Sequence, residues 1–409
     1  MKRLTGILLF SVFFCLLYLV SPVCAADPTC QNTTRPLLFG LNKATDEPAV
    51  YAAIQEAGAT YVGLAVNWDI AEPTRGAIDF SLFDSTLAQA EARNLGNTVM
   101  ICCTPDWAKE GNLPPHKALP RRDAQADYEQ FIRALATRHP QVNRYIFWNE
   151  QNGCGSNVDG CRNTEESVRE YAYWLDVTYK TLKAINPQIQ LSVGGLDGND
   201  EGFMDVLHNS PGGRSYDVMT LHPYNWFGPA NLDGVKHMYE KYHKPIWMTE
   251  YGWNVAQGYE HSISENEAAD YLRQTFDRLL SNEFSFVEIA SFHTVMDFAD
   301  TLRMGLIDAT GRKRPTYTVF HDYATRYCPQ PLPTPIPTPV PTPFPTPTPS
   351  PSPIPLLGDL NKDNQVDIFD YNLDYQYYMQ QNCAYNQIGD CVINADDLAT
   401  IVANFDVRI

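Results

Sequence analysis

The sequence predicts an α/β fold, a (β/α)8 TIM barrel, followed by a proline-rich linker and a small α-helical module. Three observations support this prediction. From residue 37 to residue 328, eight short apolar segments alternate with helical segments. Polar and aromatic residues cluster at the C-terminal ends of the apolar segments, where barrel enzymes carry their chemistry. After residue 328 the composition changes, first to alternating proline and then to a loop rich in Asp and Asn.

The first 25 residues have the pattern of a signal peptide. Lys2 and Arg3 precede an apolar run over residues 8–20, and small residues then offer a cleavage site after Ala25 or Ala26. An uncleaved N-terminal anchor is the alternative. No later apolar run is long enough to span a bilayer. We therefore expect a secreted, extracellular protein or one associated with the cell surface.

Composition narrows the class of partner. The chain has 409 residues, a net charge of -18 and 44% hydrophobic residues. That much acidity argues against nucleic acid as a partner and favours a soluble exported protein with a sizeable core. Aromatic residues make up 12% of the chain, which suits a carbohydrate-binding cleft.

The strand and helix predictions follow from hydrophobic periodicity. The eight predicted strands cover residues 37–41, 61–68, 98–103, 145–150, 189–194, 216–222, 245–250 and 286–292. The predicted helices cover residues 47–57, 83–95, 124–138, 165–185 and 264–280. Gly58 is expected to end the first helix, and Ser264 with Glu267 forms a capping-box pattern at the start of the last.

Two of these strands end in a glutamate among aromatic residues. Glu150 follows Tyr-Ile-Phe-Trp-Asn, and Glu250 follows Ile-Trp-Met-Thr and precedes Tyr-Gly-Trp. In a barrel, both side chains converge over the C-terminal mouth. A retaining glycosidase needs such a pair, one carboxylate as nucleophile and one carboxylic acid as proton donor. We assign Glu250 as the nucleophile and Glu150 as the acid/base. A solvated loop charge is the alternative for either residue taken alone.

Other polar and aromatic side chains at strand ends are candidates for substrate binding. Asn149 is placed to bind a sugar 2-hydroxyl, while His222 or Tyr224 could orient Glu250. The alternatives are a structural histidine and tryptophans that pack loops. The full set of candidate substrate-binding residues is Asn149, Trp68, Trp107, His222, Tyr224, Trp253 and His293.

Eight cysteines remain after the predicted cleavage, an even number in an exported chain. Spacing suggests that the pairs 154/161, 383/391 and 30/328 could each form a bridge. Cys102 and Cys103 are adjacent in a predicted strand, where side chains alternate, so we expect two buried free thiols. No CxxC pair is present, which argues against metal ligation by these cysteines.

Residues 329–355 carry proline at every odd position, so we expect an extended, stiff spacer. Beyond it, residues 359–370 place oxygen side chains at positions 1, 3, 5, 9 and 12, the spacing of a calcium loop. A weaker copy covers residues 386–397. The candidate Ca²⁺ ligands are Asp359, Asn361, Asp363, Gln365 and Asp370 in the first loop and Asp390, Asn394 and Asp397 in the second.

These motifs resemble known families. Trp148-Asn149-Glu150-Gln151-Asn152 and Thr249-Glu250-Tyr251-Gly252-Trp253 are similar to the acid/base and nucleophile motifs of the clan A (4/7 superfamily) retaining glycoside hydrolases. His222-Pro223-Tyr224 resembles the sixth-strand motif of family 39. The eighth strand carries Phe292 and His293 where many clan members place a tryptophan. The C-terminal module resembles a dockerin, although its second loop departs from the pattern at positions 1 and 3.

The resemblance implies a secreted retaining β-glycosidase with four regions. These are a signal peptide at 1–25, a catalytic barrel at 26–328, a linker at 329–356 and a dockerin-like domain at 357–409. It implies a polysaccharide or oligosaccharide substrate, an endo-β-glycanase or β-xylosidase activity, no catalytic cofactor, and a cohesin-bearing scaffold as partner. The alternative is a non-catalytic carbohydrate-binding or scaffold protein on the same fold. A metal-dependent hydrolase is disfavoured because no His/Asp ligand cluster is evident.

Overall fold

A computed structural model of the chain describes residues 37–42, 47–153, 164–259, 261–297 and 302–326. All of them belong to the first of the chain's two units, Met1–Thr334. The predicted signal peptide, linker and dockerin-like domain lie outside the described residues. So do all the predicted calcium ligands, and so do all the predicted disulfide pairs.

Eight parallel strands form a closed barrel in sequence order, and the eighth pairs with the first. The predicted barrel is confirmed. The strands are β1 Leu38–Asn42, β2 Tyr61–Asn67, β3 Gly96–Cys102, β4 Arg144–Asn149, β5 Gln190–Asp197, β6 Val218–His222, β7 Ile246–Met248 and β8 Val287–Phe292. The parallel order brings all eight C-terminal strand ends to one face.

Helices surround the barrel. They are α1 Pro48–Glu56, α2 Trp68–Ala71, α3 Ser81–Glu91, α4 Gln125–Arg138, α5 Glu165–Ile185, α6 Glu201–His208, α7 Leu232–Tyr242, α8 Glu265–Leu279 and α9 Pro315–Arg326. Of these, α5, α6, α7 and α8 each begin after a residue whose side chain caps the first turn. The predicted capping box is confirmed, because Ser264 and Glu267 exchange both hydrogen bonds at the start of α8. Gly58 follows α1 with φ 83°, as a C-terminal stop requires. No described helix combines the length and apolarity that crossing a bilayer requires.

Two apolar layers hold the barrel together. The larger lies between the strands and the surrounding helices and continues around the described part of the barrel. The smaller packs six buried side chains from alternate strand positions against Met100. Its members are Leu38, Tyr61, Ile146, Val218, Trp247 and Ile289. Side chains alternate along a strand, so this inner cluster fills the barrel interior beneath the strand ends that carry the glutamates.

A buried ion pair anchors the segment that follows β8. Arg314 contacts Asp297 through two nitrogens, at 2.8 and 2.6 Å, and both side chains are only 4% exposed. The same guanidinium donates to the carbonyl oxygen of Gly305 at 2.7 Å. Asp297 also accepts from the backbone N–H of Gly305. This network fixes the chain just beyond His293.

The expectation of free thiols at Cys102 and Cys103 is wrong. The two residues form a disulfide between neighbours in the chain. The prediction assumed that strand alternation continues through both residues. Instead β3 ends at Cys102, and Cys103 adopts a left-handed backbone with φ 74°, which ends the alternation.

Candidate active site

The end of β4 is bent so that Glu150 faces the mouth of the barrel. Trp148 and Glu150 have φ values of 74° and 43°, a left-handed region that residues other than glycine rarely adopt. The indole of Trp148 donates to the carbonyl oxygen of His116 at 2.9 Å, and Glu150 N donates to the carbonyl oxygen of Gly195 at 2.7 Å. These bonds hold a strained backbone, as is common at functional sites.

His222, the last residue of β6, lies between the two glutamates. Its Nδ1 is 2.8 Å from Oε1 of Glu150 and 4.0 Å from Oε2 of Glu250. Its Nε2 is 3.1 Å from Oγ1 of Thr249. Burial opposes protonation of the ring, but the charges of Glu250 and Glu150 outweigh it and raise the pKa of His222. The raised pKa favours the protonated ring, which lies within reach of both carboxyl groups.

The ring of His222 can occupy this place because β5 carries a glycine beside it. A Cβ at Gly195 would overlap the imidazole, whose nearest atoms include Nε2 and Cε1. His222 is only 2% exposed and both its ring nitrogens contact oxygens, so the ring could make room for a Cβ only by giving up these contacts.

Two further side chains hold Glu250. The hydroxyl of Tyr224 donates to Oε1 at 2.6 Å, and Nδ1 of His293 lies 2.8 Å from the same oxygen. Burial opposes ionisation of Glu250, but the charge of His222 and these two hydrogen bonds outweigh it and lower its pKa to about 2. Burial and the neighbouring carboxylate raise the pKa of Tyr224 well above its ordinary value, so this hydroxyl stays protonated. Glu250 is therefore held as an ionised, oriented carboxylate.

The two glutamates lie close together. A carboxyl oxygen of Glu150, a ring nitrogen of His222 and a carboxyl oxygen of Glu250 all lie within 4.8 Å of one another. These three groups could approach one metal ion, and they form a Glu/His set rather than the His/Asp cluster considered from the sequence. Both ring nitrogens of His222 are already within hydrogen-bond distance of oxygens, one on Glu150 and one on Thr249. When both nitrogens are protonated, the ring has no lone pair left for a metal.

A cavity of about 280 Å³ opens beside Glu250 and extends into the barrel. None of its lining residues is Lys or Arg, and Glu250 is the one carboxylate among them. The lining residues are Asn42, Gly63, Leu64, Ala65, Thr98, Met100, Ile146, Asn149, Gly195, His222, Thr249 and Glu250. The predicted substrate-binding residue Asn149 thus borders the cavity. The lining suits an uncharged ligand.

Two of the predicted substrate-binding tryptophans are placed elsewhere. Trp68 is 1% exposed, stacks on Phe131 and donates its indole N–H to Glu72, and Trp253 is 2% exposed and packs against Phe292. Neither ring has a face available to a sugar, so these two predictions are wrong. Both lie at strand ends, but their side chains turn into the strand–helix core.

Trp107 is half-buried on the loop after β3. Its indole N–H donates to the carbonyl oxygen of Glu72, and Arg75 lies over its ring at 5.9 Å. It does not border the cavity beside Glu250. Its assignment as a substrate-binding residue stays a prediction.

Sequence reasoning missed three groups at the site. Asn42 ends β1 and donates to the carbonyl oxygen of Thr249 at 2.9 Å, and Thr249 in turn meets His222. Asp197 ends β5, where burial and then the charge of Glu150 raise the pKa of its carboxyl group. A polar residue closing an apolar segment was the available signal for Asn42. Nothing in the local sequence around Asp197 showed that its carboxyl group would face another.

Comparisons with known proteins agree with this geometry. The sequence profile of the family described as "Glycosyl hydrolase catalytic core" matches residues 87–318. No curated protein sequence matches the chain.

Several solved structures have a similar fold. One is a family 39 glycoside hydrolase from the gut symbiont Bacteroides cellulosilyticus WH2, with 19% identity, a TM-score of 0.57, and coverage of 71% of this chain and 64% of that one. A monomeric β-xylosidase from Caulobacter crescentus CB15 has 16% identity, a TM-score of 0.52, and coverage of 69% and 67%. Xylanase B from Clostridium stercorarium F9 has 15% identity, a TM-score of 0.51, and coverage of 70% and 96%.

The chain spans just under two thirds of the Bacteroides protein. At these identities, the similarity to solved structures establishes the shared fold alone. The profile match covers more than half of the 409 residues and includes both Glu150 and Glu250. The chain belongs to the glycosyl hydrolase catalytic core family.

Proposed function

We propose that the chain is a retaining β-glycosidase of the clan A type, most similar to family 39, in which Glu250 is the nucleophile and Glu150 the acid/base. The observation that carries this proposal is the distance between the two carboxyl groups, whose oxygens lie within 4.8 Å. Retaining enzymes keep their carboxyl groups about 5–5.5 Å apart, whereas inverting enzymes leave about 6.5–9.5 Å for a water.

The site supports a double displacement. Glu250 attacks the anomeric carbon as the bond to the leaving oxygen breaks, and Glu150 gives its proton to that oxygen. Water then attacks the same carbon, Glu150 takes the proton from water, and Glu250 leaves as a carboxylate. With a proton on Nδ1, His222 donates to Oε1 of Glu150, so the other oxygen is left to carry the transferred proton. Tyr224 and His293 keep Glu250 ionised and oriented before the attack.

The substrate class follows from charge. The lining contains no Lys or Arg, and its one histidine, His222, already contacts Glu150, so the lining offers no free cation to neutralise a uronate or a sulfate. We therefore propose a neutral polysaccharide or oligosaccharide, cleaved by an endo-β-glycanase or by a β-xylosidase activity. The names of two structural neighbours, a β-xylosidase and a xylanase, make β-xylosides the first compounds to assay.

An azide experiment tests the two roles. Glu250→Ala and Glu150→Ala are assayed on an aryl β-glycoside with a good leaving group, with and without sodium azide, and products are identified by NMR. Azide attacking in place of Glu250 gives the α-glycosyl azide. Azide replacing water in Glu150→Ala, after the glycosyl-enzyme has formed, gives the β-glycosyl azide. Reversed anomers would exchange the roles, and unchanged turnover in Glu250→Ala would refute the nucleophile.

The competing class is a non-catalytic carbohydrate-binding protein. It predicts glycan binding without hydrolysis across aryl glycosides, xylans, mannans and glucans. The ionised Glu250 argues against it, because a binding site gains nothing from a nucleophile held by three neighbours.

We further propose that the protein is secreted and that residues 357–409 bind Ca²⁺ and dock to a cohesin-bearing scaffold. This rests on the spacing of oxygen side chains in residues 359–370. Terbium luminescence of the full chain tests it, with Asp359→Ala together with Asp363→Ala as the variant. Equal terbium binding in parent and variant would remove the calcium assignment.

A further inference from the structure

Two aromatic side chains on neighbouring loops of the catalytic face are exposed to solvent. Phe227 follows β6 and is 66% exposed, and Tyr259 follows β7 and is 48% exposed. With Trp226 and His261 they define what we call the rim cluster. Single exposed apolar side chains are common on protein surfaces and do not by themselves indicate a binding site. Here the two come from separate loops, and Phe227 packs against the ring of His261, which lies two residues after Tyr259 in the chain.

The rim cluster is connected to the nucleophile by stacked rings. Tyr224, which donates to Glu250, stacks on Trp226 with ring centroids 5.1 Å apart and planes 13° apart. Trp226 stacks on His261 at 5.6 Å and 14°. Phe227 meets His261 edge to face at 5.9 Å. A continuous aromatic surface therefore runs from the reacting carboxylate outward to solvent.

The backbone under this surface is fixed, so the exposure belongs to an ordered structure. The indole N–H of Trp253 lies 2.9 Å from the carbonyl oxygen of Asn225 and 2.8 Å from that of Gly228, which closes the loop carrying Trp226 and Phe227. On the other loop, Asn254 accepts from the backbone N–H of Ala256 at 3.0 Å. Trp253, wrongly predicted to contact substrate, instead positions the residues that are exposed.

The two loops carry no basic residue. Residues 223–231 and 251–259 contain no Asp, Glu, Lys or Arg, and Glu260 is the one acidic residue between Tyr259 and His261. An anionic partner would find no lysine or arginine on these loops. A pyranose ring fits, since its C–H groups can lie against the electron-rich face of an aromatic ring while its hydroxyls stay in water.

We propose that the rim cluster binds pyranose units of a neutral β-linked glycan that lie beyond the unit attacked at Glu250. The inference rests on the proposed function and deepens it, because a platform outside the cavity makes chain length part of recognition. It assigns Phe227 and Tyr259 as the contacting residues, with His261 and Trp226 supporting Phe227.

The test compares substrates by length. The full chain, Phe227→Ala, Tyr259→Ala and the double variant are assayed on aryl β-monoglycosides and on β-1,4-linked xylo-, gluco- and manno-oligosaccharides from the disaccharide to the hexasaccharide. Leu82→Ala is the matched control, because Leu82 is 52% exposed on α3, away from both loops. For the sugar that is cleaved, each single variant should lower the hexasaccharide-to-monoglycoside ratio of kcat/KM by about 3- to 10-fold. The control should leave that ratio unchanged.

The outcomes separate this inference from the proposed function. Suppose that the parent hydrolyses a substrate and that the hexasaccharide-to-monoglycoside ratio of kcat/KM is the same in parent and double variant. Sugar binding by the rim cluster is then refuted, and the proposed glycosidase function is retained. If the parent hydrolyses none of the panel, the proposed function fails, and calorimetric titration of the same hexasaccharides decides the platform. Weaker binding to the double variant than to Leu82→Ala would then support it. Equal binding, or no binding of any member, would overturn it.

Discussion

The hydroxyl of Tyr224 lies 2.6 Å from Oε1 of Glu250, so the end of β6 holds the carboxylate delivered by β7. A hydrogen bond to a charged group contributes about 1.5–3 kcal/mol. Tyr224→Phe should therefore lower kcat/KM on an aryl β-glycoside by about 10- to 100-fold. Steady-state kinetics measures this, with Tyr239→Phe on α7 as the control, since Tyr239 stacks on Phe286 outside the site. Wild-type kinetics in Tyr224→Phe would show that the bond does not help the reaction.

Glu250 should make the barrel less stable in acid. Its pKa is lowered from 4.5 in the unfolded chain to about 2 in the fold. A lowered pKa adds stability that is present above pH 4.5 and is lost as the pH falls towards 2. The free energy of unfolding of the parent, relative to Glu250→Gln, should therefore drop by roughly 3 kcal/mol across this range. All seven tryptophans lie between residues 68 and 253, so their fluorescence in urea reports on this region in the full chain. A difference that does not change with pH would contradict the lowered pKa.

The buried Arg314–Asp297 pair should matter far more than its surface counterparts. Arg314→Met leaves Asp297 buried without its partner, which costs about 3–5 kcal/mol. The matched control is Arg169→Met, which removes an ion pair to Glu165 whose side chains are 63% and 71% exposed. That change should cost no more than about 1 kcal/mol. Urea unfolding followed by tryptophan fluorescence compares them, and similar losses would show that the burial of the pair has no energetic effect.

Catalysis should not require a metal ion, although Glu150, His222 and Glu250 could approach one. Because both ring nitrogens of His222 are within hydrogen-bond distance of oxygens, a bound cation would have to displace the contact with Glu150. Hydrolysis of an aryl glycoside should therefore be unchanged after dialysis against EDTA, and added Zn²⁺ should not increase it. Activity that EDTA removes and Zn²⁺ restores would reassign the three residues as ligands.

Much of the fold could be predicted from the sequence, since local patterns and tertiary packing agree there. The capping box of Ser264 and Glu267 is such a case: two side chains three residues apart satisfy the backbone of their own helix. The apolar runs before Glu150 and Glu250 are another, because a parallel strand buried on both faces needs continuous hydrophobicity. Parallel order then requires the two glutamates to share one face of the barrel.

The direction in which individual side chains point was harder to predict from the sequence. Trp68 and Trp253 end in the core because neighbouring rings and a hydrogen-bond acceptor for each indole lie there. Glu72, the acceptor for Trp68, is four residues away, but the rings of Phe131 and Phe292 and the acceptors for Trp253 are distant in sequence. Thr249 gave no sign of its contact with His222, since that contact depends on the register between β6 and β7. The disulfide of Cys102 and Cys103 depends on where β3 ends, and strand ends are the least predictable part of a periodic segment.

The glycine beside His222 also bears on how this site could have changed over time. Every single amino-acid replacement of Gly195 adds at least a Cβ, and that atom falls within the imidazole. A lineage could therefore vary the sugar-facing loops step by step, whereas position 195 could change only together with the histidine. We expect sequences descended from this one to keep both Gly195 and His222 or to replace both at once. Replacing both would also remove the imidazole that lies between the carboxyl groups of Glu150 and Glu250.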